Sequence, residues 1–318
     1  MKIHFDGVNF ASSTGPNTFA NRLARKLFES GHEVTNEGPS ADVSLVFIER
    51  TGQPLAKKYV QRLDGIWFKP DEFATKNFGI KQLYHDADAV VWQSNFDKQM
   101  TTTWWKNPSS DMSRSRVIPN GIEIQPCKQL TIPSLMKLRS DYKRMYVCSA
   151  NWHPQKRLHD NVRLYKKLRE KEPSSCLVIL GNNPDVRVAD PHVFYAGSHP
   201  PEVYNEIYSA ADWMIHLAWA DHCPNVVVEA LAQGTPVVYP DTGGTKELVG
   251  SYGVMLYDLG QKYNFNLYDY DCPPVVDLDD VDELPNRHEL SYHGVKDRID
   301  INNTCKMYVE LFKTVVNG

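Results

Sequence analysis

The chain has 318 residues, more than one typical core organises and enough for two domains. Hydrophobic residues make up 42% and charged residues 23%, an ordinary composition for a soluble globular protein. A net charge of -4 argues against nucleic acid as the main partner, because neutralising phosphates takes a basic surface.

KIHFDG opens a first strand. The loop NFASSTGPN (9–17) follows, rich in small residues and with Gly15 at its turn. Such a loop lets backbone approach a phosphate or sugar closely, but it is neither GxGxxG nor a Walker A and is not specific alone. In GPNTFANRLARKLFESGHEV, Phe19, Leu23 and Leu27 recur every four residues with Ala20, Ala24 and Phe28 beside them. That predicts an amphipathic helix, with Pro16 in the first turn and Gly31 at the C-terminal cap. Strands are expected in DVSLVFI (42–48), at the start of YVQRLDGIWF (59–68) and in DADAVVWQS (86–94), and SRVIPNGI (115–122) ends in an Asn-Gly turn. QRLDG (61–65) sets Asp64 at a strand end, where Arg62 and Asp64 are either a self-satisfied pair or part of a site. Trp104-Trp105 reads as a packed helix end, the alternative being an exposed aromatic pair that touches a membrane or a sugar.

A second alternating series begins near residue 143: strand KRMYVCSA, a basic helix over 157–171, strands SCLVILG (175–181) and HVFYAG, helix PEVYNEIYSAAD and strand WMIHLAW. Residues 126–142, with Pro126 and Pro133, read as a linker between a first domain, 1–125, and a second, 143–300. Alternating strands and helices imply parallel sheets covered on both faces, and ligands of such folds bind outside the carboxyl ends of the strands. The fold class is therefore α/β, with two doubly wound Rossmann-like domains facing across a cleft. From 258 to 283 the pattern breaks into an acidic segment with eight acids, Asp280 among them, read as a surface excursion. Met307, Leu311 and Val315 place a helix in 301–318.

The six cysteines, at 127, 148, 176, 223, 272 and 305, contain no CxxC pair, which reads as reduced thiols in a cytoplasmic compartment. MKIHFDGVNF carries charge within its first residues and does not read as a signal peptide. No apolar run approaches the ~20 residues of a membrane span, so at most a peripheral membrane contact is expected.

The richest chemistry lies in DHCPNVVVEALAQGTPVVYPDTGG (221–244). A helix is expected to start at Pro224-Asn225, so that the N–H groups of Asn225 and Val226 face the sheet's carboxyl edge as an anion site. Glu229 lies one turn in, where its carboxylate can accept two ribose or sugar hydroxyls. Asp221, in the loop before, can reach a hydroxyl at the other end of a ligand, and His222 lines the same loop. The alternative is a solvated Asp221 and a Glu229 paired with a lysine. In SANWHPQKRLHD (149–160), Lys156 and Arg157 sit at a helix start, where cations oppose the dipole unless an anionic ligand is bound; a snorkelling surface pair is the alternative. DAD (86–88) and DYD (269–271) read as structural or solvated acids, and His216, His222 and Cys223 lack a fourth ligand at zinc-type spacing, so no metal site is assigned.

In this order the segments resemble the group 1 glycosyltransferases, family 4, of the GT-B fold. The resemblance covers nearly the whole chain and is strongest over 145–256 and in GPNTFANRLARKLFESGHEV. Asp221 and Glu229 match the two acids of the family's donor signature, Lys156 its diphosphate lysine and Gly15 its glycine loop. LGNNPD, carrying Gly181, and FYAGSHPPEV, carrying Ser198, resemble the segments framing the base. Two positions depart from the family: Asp221 stands where a Glu is usual, and Asn151 where an Arg is usual, leaving Arg157 or Arg62 as substitutes. Asp64 falls where many members carry a histidine near the sugar.

The resemblance implies a retaining, metal-independent and cofactor-independent transfer of a hexose-type sugar from a nucleoside-diphosphate sugar to an acceptor hydroxyl. Catalysis would fall to Asp64, Lys156 and Asp221. Donor binding would fall to Gly15, Asn151, Lys156, Arg157, Gly181, Ser198, Asp221, His222, Asn225, Val226 and Glu229. The acceptor would be a glycan, or lipid-linked or protein-linked. The alternative is a non-catalytic nucleotide-sugar or glycan-binding protein of the same fold. The helix in 301–318 can return to the first domain.

Overall fold

The computed structural model describes every residue except 13, 110, 111, 185 and 280. Ser13 of the small-residue loop, Asp185 of LGNNPD and Asp280 of the acidic segment therefore lie outside the described residues. The chain forms two compact units, one of Met1–Glu123, Asn264–Tyr268 and Asp297–Gly318, the other of Ile124–Tyr263 and Asp269–Lys296.

In the first unit β1 (Lys2–Asp6), α1 (Gly15–Glu29), β2 (Glu33–Thr35), β3 (Val43–Phe47), β4 (Tyr59–Arg62), α2 (Phe73–Lys76), α3 (Phe78–Asp86), β5 (Ala89–Trp92), α4 (Asn95–Trp105) and β6 (Arg116–Val117) follow in order. The sheet runs β2-β1-β3-β4-β5-β6, all parallel. α1 begins with Pro16 in its first turn and buries Phe19, Ala20, Leu23 and Leu27, which is the expected stripe. Phe28 falls off that stripe and is 74% exposed. Gly31 ends the helix at φ +81°, the left-handed conformation glycine adopts without strain.

The linker expected over 126–142 contains a helix, α5 (Pro133–Asp141), which buries Leu135. The second unit continues with β7 (Arg144–Ser149), α6 (Leu158–Lys171), β8 (Ser175–Leu180), β9 (Val193–Gly197), α7 (Pro201–Ala210), β10 (Trp213–Ile215), α8 (Asn225–Ala232), β11 (Val237–Pro240), α9 (Thr245–Val249) and β12 (Gly253–Leu256). The sheet order is β12-β11-β10-β7-β8-β9, again parallel throughout. The strands advance outward in both directions from β7, so the order reverses between β7 and β10. That reversal is the switch point at which doubly wound sheets hold ligands. Cys148, Leu177, Ile179, Ile215 and Val238 from the strands pack with Leu158, Val162 and Tyr165 of α6.

α10 (Val295–Ile299) and α11 (Ile301–Asn317) close the chain. α11 is capped by the Asp300 carboxylate and buries Ile301, Cys305, Tyr308, Leu311, Phe312 and Val315 in the core that holds α1. Its buried stripe includes Leu311 and Val315 as expected but leaves Met307 36% exposed. Asn120-Gly121 is not a turn. Gly121 lies against the start of α11, where a Cβ would come within 2.8 Å of Ile301 Cα.

The acidic segment is more than a surface excursion. Asp258 bridges antiparallel to Val276, and Val276, Leu278, Val281 and Leu284 are buried in the second unit's core. Residues 264–268 belong instead to the first unit. There Trp104 Nε1 donates to Phe265 O at 2.8 Å, the Phe265 ring lies 5.3 Å from Phe96, and Tyr268 N donates to Phe68 O at 2.9 Å.

Candidate functional site

Beyond β7 the chain passes Asn151 and Trp152 into the short turn Pro154–Lys156. Trp152 is buried, and its indole donates to Leu180 O at 2.8 Å. Beyond β10 the chain runs through Leu217 to Asp221. The two loops are clasped in both directions: Trp219 N donates to Gln155 O and Gln155 Nε2 to Trp219 O, each at 2.9 Å. That clasp sets Lys156 Nζ 2.6 Å from Asp221 Oδ2, across the β7–β10 reversal. His216, one residue past β10 and 3% exposed, places Nε2 3.7 Å from the same oxygen.

The glycine pair shapes the other side of this loop. Gly243 takes φ +133°, and a Cβ there would meet Asp221 O at 2.8 Å. Gly244 N donates to Asp221 O at 2.8 Å. Burial opposes charge on Asp221, but Lys156 and His216 outweigh it and hold the carboxyl well below the usual carboxylate range. Burial keeps His216 below its ordinary value and pushes His222 down to about 4. At neutral pH the loop therefore presents one anion, one cation and two uncharged imidazoles.

α8 opens immediately after this loop. Pro224, not Asn225, is its cap residue, and no side chain caps it. Val227 N and Val228 N both donate to Pro224 O, at 3.1 and 3.2 Å. The helix buries Val227, Val228, Ala230 and Leu231, so Asn225, Val226 and Glu229 share the half-buried side. A positive helix end, one turn before a carboxylate, thus adjoins the Lys156–Asp221 pair.

The remaining predicted donor residues are placed less favourably. Arg157 is 3% exposed, at φ +52°, and its guanidinium is spent on Asp258 Oδ1 at 2.7 Å, Pro274 O at 2.5 Å and Leu217 O at 3.4 Å. It is a buried structural cation, neither a snorkelling surface group nor a substitute for the missing arginine. Gly181, at φ +98°, has a packing reason: a Cβ would lie 1.8 Å from Ala150 O, where the ends of β7 and β8 meet. Asn151 is exposed beside the site, and Ser198 is exposed beyond the edge strand β9.

In the first unit Gly15 is exposed at the start of α1. Asp64 does pair with Arg62, and Gln93 Nε2 donates to the same Asp64 oxygen at 2.7 Å. Arg62 is 1% exposed, stacks 4.4 Å over Phe19 and donates to Asn120 Oδ1 at 2.7 Å. It too is committed within its own unit. Asn120 Nδ2 closes the network on Gln93 Oε1 at 3.0 Å. Burial raises the Asp64 carboxyl despite Arg62. Gln93 and Asn120, which complete this network, were missed from the sequence. The signal was weak, since Asn120 passes for half of a turn dipeptide and Gln93 for a strand end.

Asp97, fully buried in the first turn of α4, accepts from Gln93 N at 3.2 Å and Thr101 Oγ1 at 3.3 Å. Burial, opposed by the Gln93 N–H and reinforced by Asp64, lifts its carboxyl from 3.8 to about 7. The unfolded chain therefore loses this proton first, and stability drains away as pH rises from about 4 to 7. Asp97→Asn should melt higher than the parent at pH 8, with the gain vanishing toward pH 4. A gain independent of pH would contradict this.

Residues 143–262 match the sequence profile of the family Glycosyl transferases group 1. The second unit carries a group 1 glycosyltransferase domain. Lys156, His216, Asp221 and Glu229 all lie within the matched residues of this domain; Gly15 and Asp64 lie outside them. The fold as a whole is that of the GT-B glycosyltransferases, as solved structures bear out. Anabaena HepE in complex with UDP-glucose superposes with a TM-score of 0.68 at 16% identity, over 99% of this chain and 100% of that one. A glycosyltransferase from Rickettsia africae gives 0.64 at 14%, over 100% and 99% of the two chains. Sucrose-phosphate synthase from Thermosynechococcus elongatus gives 0.62 at 12%, over 99% and 95%. No curated protein matches the chain by sequence. Among the described residues no group of three or more His, Cys, Asp and Glu could hold a metal ion, and no helix is long and apolar enough to cross a membrane.

Proposed function

We propose that the chain moves a hexose from a nucleoside-diphosphate sugar to an acceptor hydroxyl, with retention and without a metal or cofactor. The observation that carries this reading is the Lys156–Asp221 pair at the β7–β10 reversal, beside the amino end of α8. In the reaction the bond between the anomeric carbon and the diphosphate oxygen breaks. The acceptor oxygen takes its place on the same face, and the acceptor proton leaves with the diphosphate. Lys156 and the N–H groups at Asn225–Val226 stabilise the charge that grows on the leaving diphosphate, in a geometry set before the reaction. Glu229 accepts from ribose hydroxyls, and Asp221, still held by Lys156, accepts from a hydroxyl of the transferred sugar. Asp64 orients the acceptor.

HepE binds UDP-glucose, so a uridine donor is the first to try. A thermal-shift panel of UDP-, GDP-, ADP- and dTDP-sugars tests the reading, since a ligand that binds only the folded state raises its melting temperature. One donor should do so, and no shift from any would contradict it. Glu229→Gln should weaken binding of that donor about tenfold, roughly 1.4 kcal/mol, by weakening a charged hydrogen bond. An unchanged Kd in titration calorimetry would remove Glu229 from the ribose. One observation favours a second reading, a binding protein without turnover. Asn151 brings no charge, and Arg157 and Arg62 are both committed elsewhere. Tight donor binding with neither transfer nor slow hydrolysis would select it.

A further inference from the structure

The chain has seven tryptophans, and Trp67 alone is exposed, at 41%. A lone exposed apolar side chain needs no explanation by itself. The way Trp67 is held is the unusual part. Asn77, itself 2% exposed, accepts from Trp67 N at 3.0 Å and donates to Trp67 O at 2.6 Å and to Phe73 O at 2.8 Å. Ile66 and Phe68 on either side are buried, at 5% and 3%. Lys76 Nζ sits 4.0 Å over the indole and is fixed in turn by Glu72 Oε1 at 2.7 Å. The backbone is thus pinned at Trp67, one face of the ring is occupied by a cation, and the ring still stands well out into solvent.

The position matters as much as the rigidity. Trp67 lies in the loop leaving the carboxyl end of β4, three residues after Asp64. Asp64 keeps 19% of its side chain exposed and is braced by Arg62 and Gln93. A rigid apolar plate three residues along the chain from a braced carboxylate matches one class of ligand well. A pyranose has a C–H face that lies flat on an aromatic ring and an edge of hydroxyls that donate to a carboxylate. A lipid surface would ask for several outward apolar side chains and a basic excess, whereas both chain neighbours of Trp67 point inward and the net charge is -4.

We propose that Trp67 is the platform of an acceptor subsite, on which a sugar ring of the acceptor stacks while Asp64 accepts from one of its hydroxyls. The acceptor is then a glycan or glycoconjugate with an accessible pyranose, and not a bare alkyl alcohol. This rests on the transfer reading above, but its test does not need turnover.

The full chain labelled with 5-fluorotryptophan, its Trp67 resonance assigned with Trp67→Phe, is titrated with methyl β-D-glucopyranoside, methyl α-D-mannopyranoside and methyl β-D-galactopyranoside. At least one should move the Trp67 resonance saturably, and Asp64→Asn should weaken that binding fivefold or more. Silence with all three glycosides overturns the proposal. So does a Trp67 shift produced only by vesicles of phosphatidylcholine and phosphatidylglycerol. UDP-glucose binding to the same sample is read by its melting temperature. A glycoside response without any nucleotide-sugar binding would sink the transfer reading while leaving the sugar platform standing.

Discussion

Lys156→Ala should lower sugar transfer from whichever donor the thermal-shift panel selects by about two to three orders of magnitude, the range for removing one preorganised group that stabilises a leaving charge. The effect is large because the arginines that the sequence offers to share the work are spent. Arg157 holds Asp258, and Arg62 holds Asp64 and Asn120. The loss should fall mainly on kcat, since charge builds on the diphosphate as the bond breaks. It should also change the pH profile. Asp221 is held low by Lys156, against the pull of burial. Without that cation its carboxyl titrates higher, so the variant should lose residual activity on acidification earlier than the parent. Lys156→Arg, which keeps the charge, should retain more activity than the alanine variant. Near-parental kcat in Lys156→Ala would sink its role at the leaving group.

Arg157→Leu should destabilise the second unit by about 3–5 kcal/mol, the cost of breaking a buried ion pair by removing one partner. Asp258 would be left charged inside the fold, with Arg157 no longer offsetting the burial that already raises its carboxyl. The same change frees the carbonyls of Leu217 and Pro274, so it loosens the segment that Asp258 and Pro274 bracket. Arg157→Leu/Asp258→Leu should recover much of the loss, because no charge is then stranded. Urea unfolding followed by the fluorescence of this unit's tryptophans checks both. A single variant with parental stability and weakened donor binding would return Arg157 to the ligand site.

Most of the fold was legible where local chemistry agreed with the tertiary environment. The Phe19–Leu23–Leu27 stripe, the glycine at the end of α1 and the buried strands around Cys148 and Cys176 are all present. Reading failed where a short apolar stretch could serve either purpose. WMIHLAW looks like one long strand, yet β10 ends at Ile215, and the rest carries the clasp with Gln155 that positions Asp221. The segment read as a linker holds α5, which Pro133 opens from the first turn, where a missing N–H costs nothing.

The site shows the same division. Lys156 and Asp221, 65 positions apart in the chain, were each legible as charges needing a reason, and the fold makes them partners at 2.6 Å. Arg157 was misread because sequence shows a cation near a helix start but not the acid that will reach it. Asp258 arrives from more than a hundred residues away. The rigid display of Trp67 depends on Asn77, ten residues on, and no local pattern announces that clamp.

In the proposed reaction the Lys156–Asp221 pair and the amino end of α8 receive the diphosphate of a donor. Calorimetric titration of UDP into the parent, Lys156→Ala and Asp97→Asn tests it most directly. Tenfold or weaker binding in Lys156→Ala, with parental affinity in Asp97→Asn, is the predicted result. Equal UDP affinity in all three, or no UDP binding to the parent while another nucleoside diphosphate binds independently of Lys156, would contradict it.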